Sequence, residues 1–307
     1  KSIVFMGTPY FAVESLKKLF ESGYNIVGVI TAIDKKRGRG RKIQFSPIKE
    51  FALENNLKIF QPPNLKDEKF ISSIKKLNAD LFVVVAFRML PEILINIPPL
   101  GCINLHSSLL PNYRGAAPIN WVIINGEKET GLTTFFINSK IDEGNIIEKE
   151  RVTIDNGENA GTLHDKLMNK GSKLVLTTVK KIFDGNYKSL VQKLDGNEKK
   201  APKIDKNTCN INLNQSSQEI LNLINGLSPY PCAKIITNGN QYKIIKAKTL
   251  RGINVDNTGL FIYLDKIILK NNKGELLEIL EIQKEGKKIM KSTEFLRGNK
   301  IWKMYLW

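Results

Sequence analysis

Two polar side chains with catalytic chemistry lie two residues apart in the stretch GCINLHSSLLPNYRGAAPINW, residues 101–121. Asn104 and His106 alternate within an apolar run that is typical of a strand, so both side chains should point to one face. A carboxylate, Asp142, follows in the glycine-containing segment KIDEGNII. An amide and an imidazolium can donate hydrogen bonds to a developing oxyanion, and a carboxylate can orient or charge the imidazole. These three residue types together can serve acyl transfer.

Each of these residues also has a structural interpretation that the spacing leaves open. A polar pair on a strand is often structural, and His106 could be a core histidine whose hydrogen bonds are satisfied. Asp142 could form a turn before Gly144. The second histidine, His164, has polar neighbours on a predicted helix, and we expect it to be solvated.

The elements around these residues follow an α/β rhythm. Apolar strands are predicted at 2–6 and 25–31, with an amphipathic helix at 9–22 between them, which favours a parallel sheet. Further buried strands are predicted at 80–86 and 101–106, and open α/β sheets bind ligands at the carboxyl ends of their strands. The FMGTP sequence after the first strand is neither a GxGxxG nor a Walker motif, which disfavours a nucleotide-dependent oxidoreductase.

The character of the chain changes after Tyr187. Residues 188–205 are polar and charged and indicate a linker, and the remainder consists of short alternating runs separated by Gly and Asn. That pattern is typical of a small antiparallel barrel or sandwich. We therefore predict a catalytic domain at 1–187, a linker at 188–205 and a C-terminal β-barrel at 206–307.

The charge favours an anionic partner, with nucleic acid first. The chain has 47 basic and 30 acidic residues, a net charge of +17, and residues 206–307 alone carry 16 basic and 8 acidic residues. A glycine-containing basic loop, DKKRGRGRK, occupies residues 34–42. Biased coding composition and a solvated charge run are the alternatives for these two features.

Composition restricts the class of protein further. The 307 residues are 42% hydrophobic, which excludes a disordered chain, and no apolar run approaches the roughly 18 residues of a membrane span. The N-terminal sequence is typical of a strand and not of a secretion leader, so we expect a cytoplasmic protein. The cysteines, Cys102, Cys209 and Cys232, form no CxxC, which argues against a disulfide framework or a zinc site. We expect Cys102 to be a buried strand residue, and the protein to be a monomer that binds no membrane.

The motifs as a set resemble a known family. Asn104-x-His106, the segment Ser108–Pro111 and Asp142 are similar to the folate-dependent formyltransferases. The flanking motifs resemble the branch that formylates methionyl-tRNA, and the resemblance covers nearly the whole chain: FMGTPYFA at 5–12, RGRGRK at 37–42, SLLPNYRGAAPINW at 108–121, SPYPCA at 228–233 and GKKIMKSTEFLRG at 286–298.

The resemblance implies a fold, a reaction and a set of site residues. It implies a Rossmann-like formyltransferase domain with a mostly parallel sheet, followed by a small all-β barrel of oligonucleotide-binding type. It implies 10-formyltetrahydrofolate as formyl donor, the α-amine of methionine on initiator tRNA as acceptor, and no metal. The catalytic positions would be Asn104, His106 and Asp142. The folate site would be lined by Ser108, Leu109, Leu110 and Pro111 and by Ala86, Phe87, Arg88, Met89 and Leu90. The basic loop would contact tRNA through Arg37, Arg39, Arg41 and Lys42.

The chain departs from the family pattern at five positions outside the Asn–His–Asp set. Ala32-Ile33 stands where Gln-Pro is usual, Leu213 where tryptophan is frequent, Asn225 for a common arginine and Cys232 for a common glycine. Three other functions compete with this prediction: formyl transfer to a sugar-nucleotide amine or to glycinamide ribonucleotide, hydrolysis of formyltetrahydrofolate, and RNA binding without catalysis.

Overall fold

The computed structural model describes residues 1–37, 42–253 and 255–298. Contacts within the chain divide it into two compact units, each assembled from separate stretches of sequence. Unit 1 comprises residues 1–115, 130–153 and 164–200, and unit 2 comprises residues 116–129, 154–163 and 201–307. No helix in the described ranges combines the length and the apolar character needed to cross a membrane.

The described ranges contain helices and strands in an alternating order over the first half of the chain, and mainly strands at the end. In chain order these elements are β1 (Ser2–Gly7), α1 (Tyr10–Glu21), β2 (Asn25–Ile30), β3 (Lys35–Arg37), β4 (Lys42–Gln44), α2 (Pro47–Glu54), β5 (Ile59–Phe60), α3 (Glu68–Lys75), β6 (Leu81–Val85), α4 (Glu92–Ile95), β7 (Cys102–His106), β8 (Arg114–Gly115), α5 (Pro118–Ile124), β9 (Glu129–Phe136), β10 (Ile146–Thr153), α6 (Ala160–Asp184), β11 (Lys200–Ala201), α7 (Ser217–Leu227), β12 (Ala233–Thr237), β13 (Asn240–Leu250), β14 (Gly259–Tyr263), β15 (Lys266–Lys270), β16 (Leu276–Lys284), β17 (Met290–Lys291) and α8 (Ser292–Gly298).

Unit 1 is built on a seven-stranded sheet with the order β10-β9-β7-β6-β1-β2-β5. The five strands from β7 to β5 are parallel, and β9 runs antiparallel to β7. The chain moves outward from β1 through β2 to β5 and then returns to the other side of β1 with β6 and β7. A sheet of this kind forms a crevice at the carboxyl ends of its strands where the order reverses. The predicted Rossmann-like, mostly parallel sheet is confirmed.

Apolar side chains pack against both faces of the sheet in unit 1. All five residues of β6, LFVVV, are buried, as expected for a central parallel strand covered on both faces. One face packs Phe82 and Val84 of β6 against Phe70 and Ile74 of α3. On the opposite face the Leu105 side chain lies against Gly171 of α6, where an added Cβ would be 2.7 Å from the leucine. Strand β7, which carries Asn104 and His106, is therefore rigidly held.

Unit 2 contains a curled antiparallel sheet with the order β12-β13-β16-β15-β14, and β17 extends it beside β16. The first and last strands in this order, β12 and β14, come back into contact, which makes the sheet barrel-like. Helix α7 begins with a capping box formed by Ser216 and Glu219 and places Ile220 and Ile224 in the apolar core. The predicted all-β domain of oligonucleotide-binding type is confirmed as a fold.

One departure from the family pattern lies at a special backbone position in unit 2. Cys232, where the resemblance implies glycine, has a φ of +74°, in the left-handed region that glycine adopts without steric cost. The backbone there is held by a hydrogen bond from Cys232 N to Leu227 O at 2.8 Å. The surrounding structure thus accommodates a side chain at a position whose conformation favours glycine.

A pair of leucines in unit 1 tests how far the buried core supports this fold. Leu19 of α1 is fully buried, whereas Leu53 of α2 is 50% exposed. We expect Leu19→Ala to lower the free energy of unfolding by about 2–5 kcal/mol, because it leaves a cavity in the core. Leu53→Ala should change it by about 0.5 kcal/mol or less. Equilibrium urea unfolding followed by circular dichroism measures both, and equal losses would contradict this assignment of the core.

Candidate active site

Asn104 and His106 lie at the carboxyl end of β7 and share one face of the sheet, as their spacing predicts. Asn104 is half-buried, and its side chain has no hydrogen-bond partner within residues 1–37, 42–253 and 255–298. An amide that is held on a rigid strand and partly screened from water is available to bind a polar atom of a ligand. Asn104 is therefore suited to donate a hydrogen bond at this edge of the sheet.

His106 is only 6% exposed, and both of its ring nitrogens face polar groups. Nε2 lies 2.8 Å from the carbonyl oxygen of Tyr113. Because a carbonyl oxygen can only accept, this Nε2 carries a proton. Nδ1 faces the Asp142 carboxylate, with Oδ2 at 3.8 Å. That separation is too long for a direct hydrogen bond but close enough for a carboxylate to stabilise a charged ring.

Asp142 reaches His106 from the loop between β9 and β10. Its backbone has a φ of +53°, an uncommon conformation for a non-glycine residue. Its carboxylate is 14% exposed and accepts a hydrogen bond from Gly115 N, which lies 2.9 Å from Oδ2. This bond fixes the oxygen that faces His106. The structure thus brings together the three residues for which the sequence predicted catalysis.

The segment Ser108–Pro111, predicted to line the folate site, follows directly after His106 and is held by internal hydrogen bonds. The Ser108 hydroxyl donates to Asn112 O at 2.6 Å. Thr133 of β9 accepts from Leu110 N at 3.1 Å and donates to Ser108 O at 2.7 Å. Ser108 and Leu110 are fully buried, and Leu109 and Pro111 are partly exposed. The segment is a rigid wall beside His106.

The second predicted folate segment, Ala86–Leu90, leaves the sheet beside the first. Val85 of β6 is in register with Leu105 of β7, so Ala86 and His106 lie at the same level of the sheet. Arg88 donates to the carbonyl oxygens of Pro62 and Pro63. Met89 is exposed and Leu90 is buried. Both predicted folate segments therefore lie at the carboxyl edge of the sheet, and their contact with folate stays a prediction.

The basic loop is described only in part. Strands β3 and β4 form an antiparallel pair in which Arg37 is opposite Lys42. Arg39 and Arg41 lie outside the described residues. The predicted contacts of this loop with tRNA therefore stay a prediction.

The remaining polar candidates have structural surroundings. The three cysteines are buried and not joined in disulfides. Burial raises the pKa of the Cys102 thiol far above its usual value, so Cys102 is a core residue of β7, as predicted. His164 lies on α6 beside Asp165, with its Nδ1 2.9 Å from the carboxylate. The described ranges contain no group of three or more His, Cys, Asp or Glu residues arranged to hold a metal ion.

Two groups at the site were not anticipated from the sequence. They are the Tyr113 carbonyl, which accepts from His106, and the Gly115 N–H, which binds Asp142. Both are backbone groups, so the residue types give no signal for them. The stretch NYRG at 112–115 could have indicated only a turn.

Comparison with known proteins assigns this arrangement to a family. The family profile described as "Formyl transferase" matches residues 1–179, and the profile "Formyl transferase, C-terminal domain" matches residues 203–300. The chain belongs to the formyltransferase family. The two profiles match the N-terminal and C-terminal parts of the chain, which the change in composition after Tyr187 separates.

The curated proteins that are similar to this chain include several named methionyl-tRNA formyltransferase. The methionyl-tRNA formyltransferase of Flavobacterium johnsoniae is 50% identical over 300 residues, which cover 96% of this chain and 95% of the relative. Methionyl-tRNA formyltransferases of Bacteroides fragilis, at 47%, and Clostridioides difficile, at 44%, cover 96% and 97% of this chain and 94% and 97% of their own lengths. The formyltransferase is thus similar to this group along nearly its whole length.

Solved structures with the same fold include a sugar formyltransferase and a complex with tetrahydrofolic acid. WlaRD, described as a sugar 3N-formyl transferase in the presence of dTDP and 5-N-formyl-THF, superposes with a TM-score of 0.68 and 24% identity. It covers 94% of this chain and 98% of its own. HypX from Aquifex aeolicus in complex with tetrahydrofolic acid gives a TM-score of 0.66 at 14% identity, covering 96% of this chain and 46% of its own. At these identities the similarity concerns the fold.

The position of Asp142 depends on a close backbone approach at Gly144. A Cβ added to Gly144 would lie 1.5 Å from the carbonyl oxygen of Phe136, so alanine there must displace the loop. Since a shift of about 1 Å in a catalytic group can cost about 10²-fold in rate, we expect Gly144→Ala to slow formyl transfer by about that factor. Single-turnover kinetics measure the loss.

Gly28→Ala is the matched control for this substitution. The nearest atom to a Cβ there, at 2.9 Å, is the end of the Leu77 side chain, which can rotate away. We expect transfer to stay within about twofold of the unsubstituted protein. A loss as large as that of Gly144→Ala would mean that general destabilisation, and not the Asp142 loop, explains the effect.

Proposed function

We propose that this protein transfers the formyl group of 10-formyltetrahydrofolate to the α-amine of methionine on initiator methionyl-tRNA, for the initiation of translation. The observation that carries the proposal is the convergence of three groups at one edge of the sheet: an Asn104 amide that is unpartnered among the described residues, a buried His106 ring and the Asp142 carboxylate. Acyl transfer requires N–H donors for an oxyanion and a proton acceptor for the amine, and this set supplies both. The full-length methionyl-tRNA formyltransferase relatives support the acceptor.

The attacking amine must be neutral. After it adds to the formyl carbon, its nitrogen must lose a proton, which a group of this protein accepts. An α-amine titrates near 8 in a peptide, and an adjacent ester lowers that value, so a neutral fraction is present at physiological pH. The nitrogen adds to the formyl carbon, and the carbonyl electron pair moves to oxygen. Asn104 and His106 donate hydrogen bonds to that oxygen. Since Nε2 of His106 is occupied by Tyr113 O, the donor in this proposal is the Nδ1–H of the protonated ring.

Asp142 stabilises the positive charge on His106 and accepts the amine proton, directly or through water. The carbonyl then re-forms, the bond from the formyl carbon to the folate nitrogen breaks, and that nitrogen takes up a proton. The products are formylmethionyl-tRNA and tetrahydrofolate. Each step uses side chains of unit 1 alone. The segments Ser108–Pro111 and Ala86–Leu90 bind the folate in this proposal, because they flank His106 at the same edge.

The charge distribution supports binding of tRNA through both halves of the sequence. The basic loop, with Arg37, Arg39, Arg41 and Lys42, and the basic residues of 206–307 contact phosphates in this proposal. The family profiles leave residues 180–202 between them, which supports domains at 1–187 and 206–307 with a linker at 188–205. We also propose a cytoplasmic monomer that binds no membrane.

The reaction and its acceptor can be tested together. The purified protein is mixed with 10-formyltetrahydrofolate and methionyl initiator tRNA, and formylmethionyl-tRNA is resolved on an acid gel. Elongator methionyl-tRNA, a sugar-nucleotide amine and glycinamide ribonucleotide serve as competing acceptors, and formate is measured without any acceptor. Transfer to the initiator alone supports the proposal. Transfer to another amine changes the acceptor, formate release indicates a hydrolase, and no turnover indicates an RNA-binding protein.

Removal of one oxyanion donor should reduce the rate strongly. We expect Asn104→Ala and His106→Ala each to lower the rate of formyl transfer by about 10²–10³-fold. Single-turnover measurements at saturating folate isolate the chemical step. His164→Ala removes the only other histidine of the chain and should stay within about twofold of the unsubstituted protein. Near-normal rates for Asn104→Ala and His106→Ala would remove both residues from the mechanism.

The basic loop should contribute to tRNA affinity and not to folate affinity. We expect the combined Arg37→Ala, Arg39→Ala and Arg41→Ala variant to bind tRNA more weakly. The slope of log K against log salt should fall by about one for each arginine that contacts a phosphate. Fluorescence titrations at several salt concentrations measure the slope, and folate binding should be unchanged.

A charge-matched variant separates a local contact from net charge. Lys17, Lys69 and Lys76 are exposed on or beside helices of unit 1, and their combined replacement by alanine also removes three positive charges. We expect a smaller change in tRNA affinity for this variant. An equal change in both variants would show that the loop acts only through total charge, and loss of folate binding would indicate misfolding.

A further inference from the structure

The segment that follows α6 is largely exposed but contains one partly buried polar side chain. From residue 184 to residue 197, every residue except Gln192 is exposed. Three of them, Leu190, Val191 and Leu194, are apolar and between 56% and 73% exposed. These three side chains bury little apolar surface, and the ring contact of the segment, between Tyr187 and Phe136 with centroids 5.6 Å apart, lies near its start. A partly buried glutamine in such a segment needs a specific reason.

Both ends of the Gln192 amide are hydrogen-bonded to loops of the candidate active site. Nε2 lies 2.8 Å from the carbonyl oxygen of Asp142 and 2.8 Å from that of Gly144. Oε1 accepts from Nη2 of Arg114 at 2.6 Å and from Nε at 3.2 Å. A primary amide carries two donor hydrogens and an acceptor oxygen, so all of its main hydrogen-bonding capacity is used here.

These contacts join the two loops that position the Asp142 carboxylate. Arg114 immediately precedes Gly115, whose N–H binds Asp142 Oδ2, and Arg114 also pairs with Glu143 at 3.4 Å. Gln192 holds the backbone of the Asp142 loop through the carbonyl oxygens of Asp142 and Gly144. The Asp142 side chain is thus held by Gly115 N, and the Asp142 backbone is held by Gln192. Because Gln192 also binds Arg114, it ties the Asp142 loop to the loop that carries Gly115.

The backbone around Gln192 keeps this amide in place. Leu190 and Ile146 exchange two hydrogen bonds of 2.8 Å, which attach the segment to the start of β10, next to the Asp142 loop. Further along, Lys199 N donates to the Asn112 side chain at 3.0 Å. Asp142 itself has a left-handed backbone, which costs free energy and persists only where the surroundings impose it. The Gln192 side chain donates a hydrogen bond to the carbonyl oxygen of this residue.

We propose that Gln192 is a positioning residue for formyl transfer, acting through Asp142. Its amide holds the strained Asp142 backbone and the Arg114–Gly115 backbone in one arrangement, so that the carboxylate faces Nδ1 of His106. The inference rests on the proposed function, and it places a residue of the predicted linker within the machinery of unit 1. Gln192 touches no reacting atom, so its effect passes through the geometry of Asp142.

Two substitutions at Gln192 test this role. Gln192→Ala removes all four hydrogen bonds. Gln192→Glu keeps the size and the contact with Arg114, but at neutral pH it presents an acceptor oxygen to two carbonyl oxygens. We expect both to lower kcat by about 10²-fold, because Asp142 is displaced. KM for methionyl-tRNA and the affinity for folate should each stay within about twofold, since neither ligand contacts Gln192 in this proposal.

Gln283→Glu is the matched control, because it makes the same chemical change. The Gln283 amide, near the end of β16 in unit 2, donates to a single carbonyl, that of Lys287, at 2.7 Å. We expect kcat to be within about twofold of the unsubstituted protein. Thermal unfolding of each variant shows whether it is folded, and Gln192→Glu keeps the test informative where Gln192→Ala is too unstable to assay.

A double-substitution cycle separates positioning from general stabilisation. If Gln192 acts through Asp142, then Gln192→Ala in an Asp142→Ala background should lower kcat by less than about threefold. The same factor of about 10² in both backgrounds would show that Gln192 supports the fold and not Asp142. Single-turnover assays resolve the slow rates of these variants.

The outcomes distinguish this inference from the proposed function. Activity retained by His106→Ala and Asn104→Ala overturns the catalytic assignment itself. Loss of activity in those variants, with Gln192→Ala and Gln192→Glu both within about twofold of the unsubstituted protein, overturns the positioning role alone. A rise in KM with unchanged kcat would also overturn it, because it would place Gln192 in substrate binding.

Discussion

The carboxylate of Asp142 lies beside a ring that a different part of the sheet carries, and several contacts of the site hold it there. His106 is fixed by a regular strand, but Asp142 is in a loop with a left-handed backbone. A strained loop residue keeps its place only when several independent contacts determine it. Here they are the Gly115 N–H on the carboxylate, the Gln192 amide on the carbonyls, and the close packing of Gly144 on Phe136.

Burial gives the pair its chemical character. For a histidine that is 6% exposed, a hydrogen bond on a ring nitrogen matters, because an unpaired polar group away from water costs about 1–3 kcal/mol. The Tyr113 carbonyl satisfies Nε2 and in doing so directs Nδ1 to Asp142. The low-dielectric surroundings strengthen the attraction between a carboxylate and a charged ring relative to water. A backbone carbonyl thus determines which ring nitrogen faces the carboxylate.

In the proposed function, the chemistry and the choice of acceptor depend on different parts of the chain. A sugar formyltransferase shares the fold at a TM-score of 0.68, so the common scaffold does not by itself specify an amine acceptor. Recognition of tRNA requires positive charge over an extended surface, because contacts with phosphates dominate nucleic-acid affinity. Residues 206–307 and the basic loop carry such positive charge. Both lie in parts of the sequence that do not contain Asn104, His106 or Asp142.

The sequence by itself determined the parallel sheet, the strand that carries Asn104 and His106, and the all-β end of the chain. These features follow from local periodicity: the helix predicted at 9–22 is α1 at Tyr10–Glu21, and the strand predicted at 101–106 is β7. The residue types also indicated Asp142, but only through its place downstream and the family resemblance. Tertiary structure alone decided that Asp142 meets Nδ1, that Tyr113 and Gly115 supply backbone partners, and that Gln192 is directed inward. Backbone groups have no signature in residue type, and a contact such as that of Gln192 with Asp142, fifty residues apart in the chain, depends on how the loops fold back on the sheet.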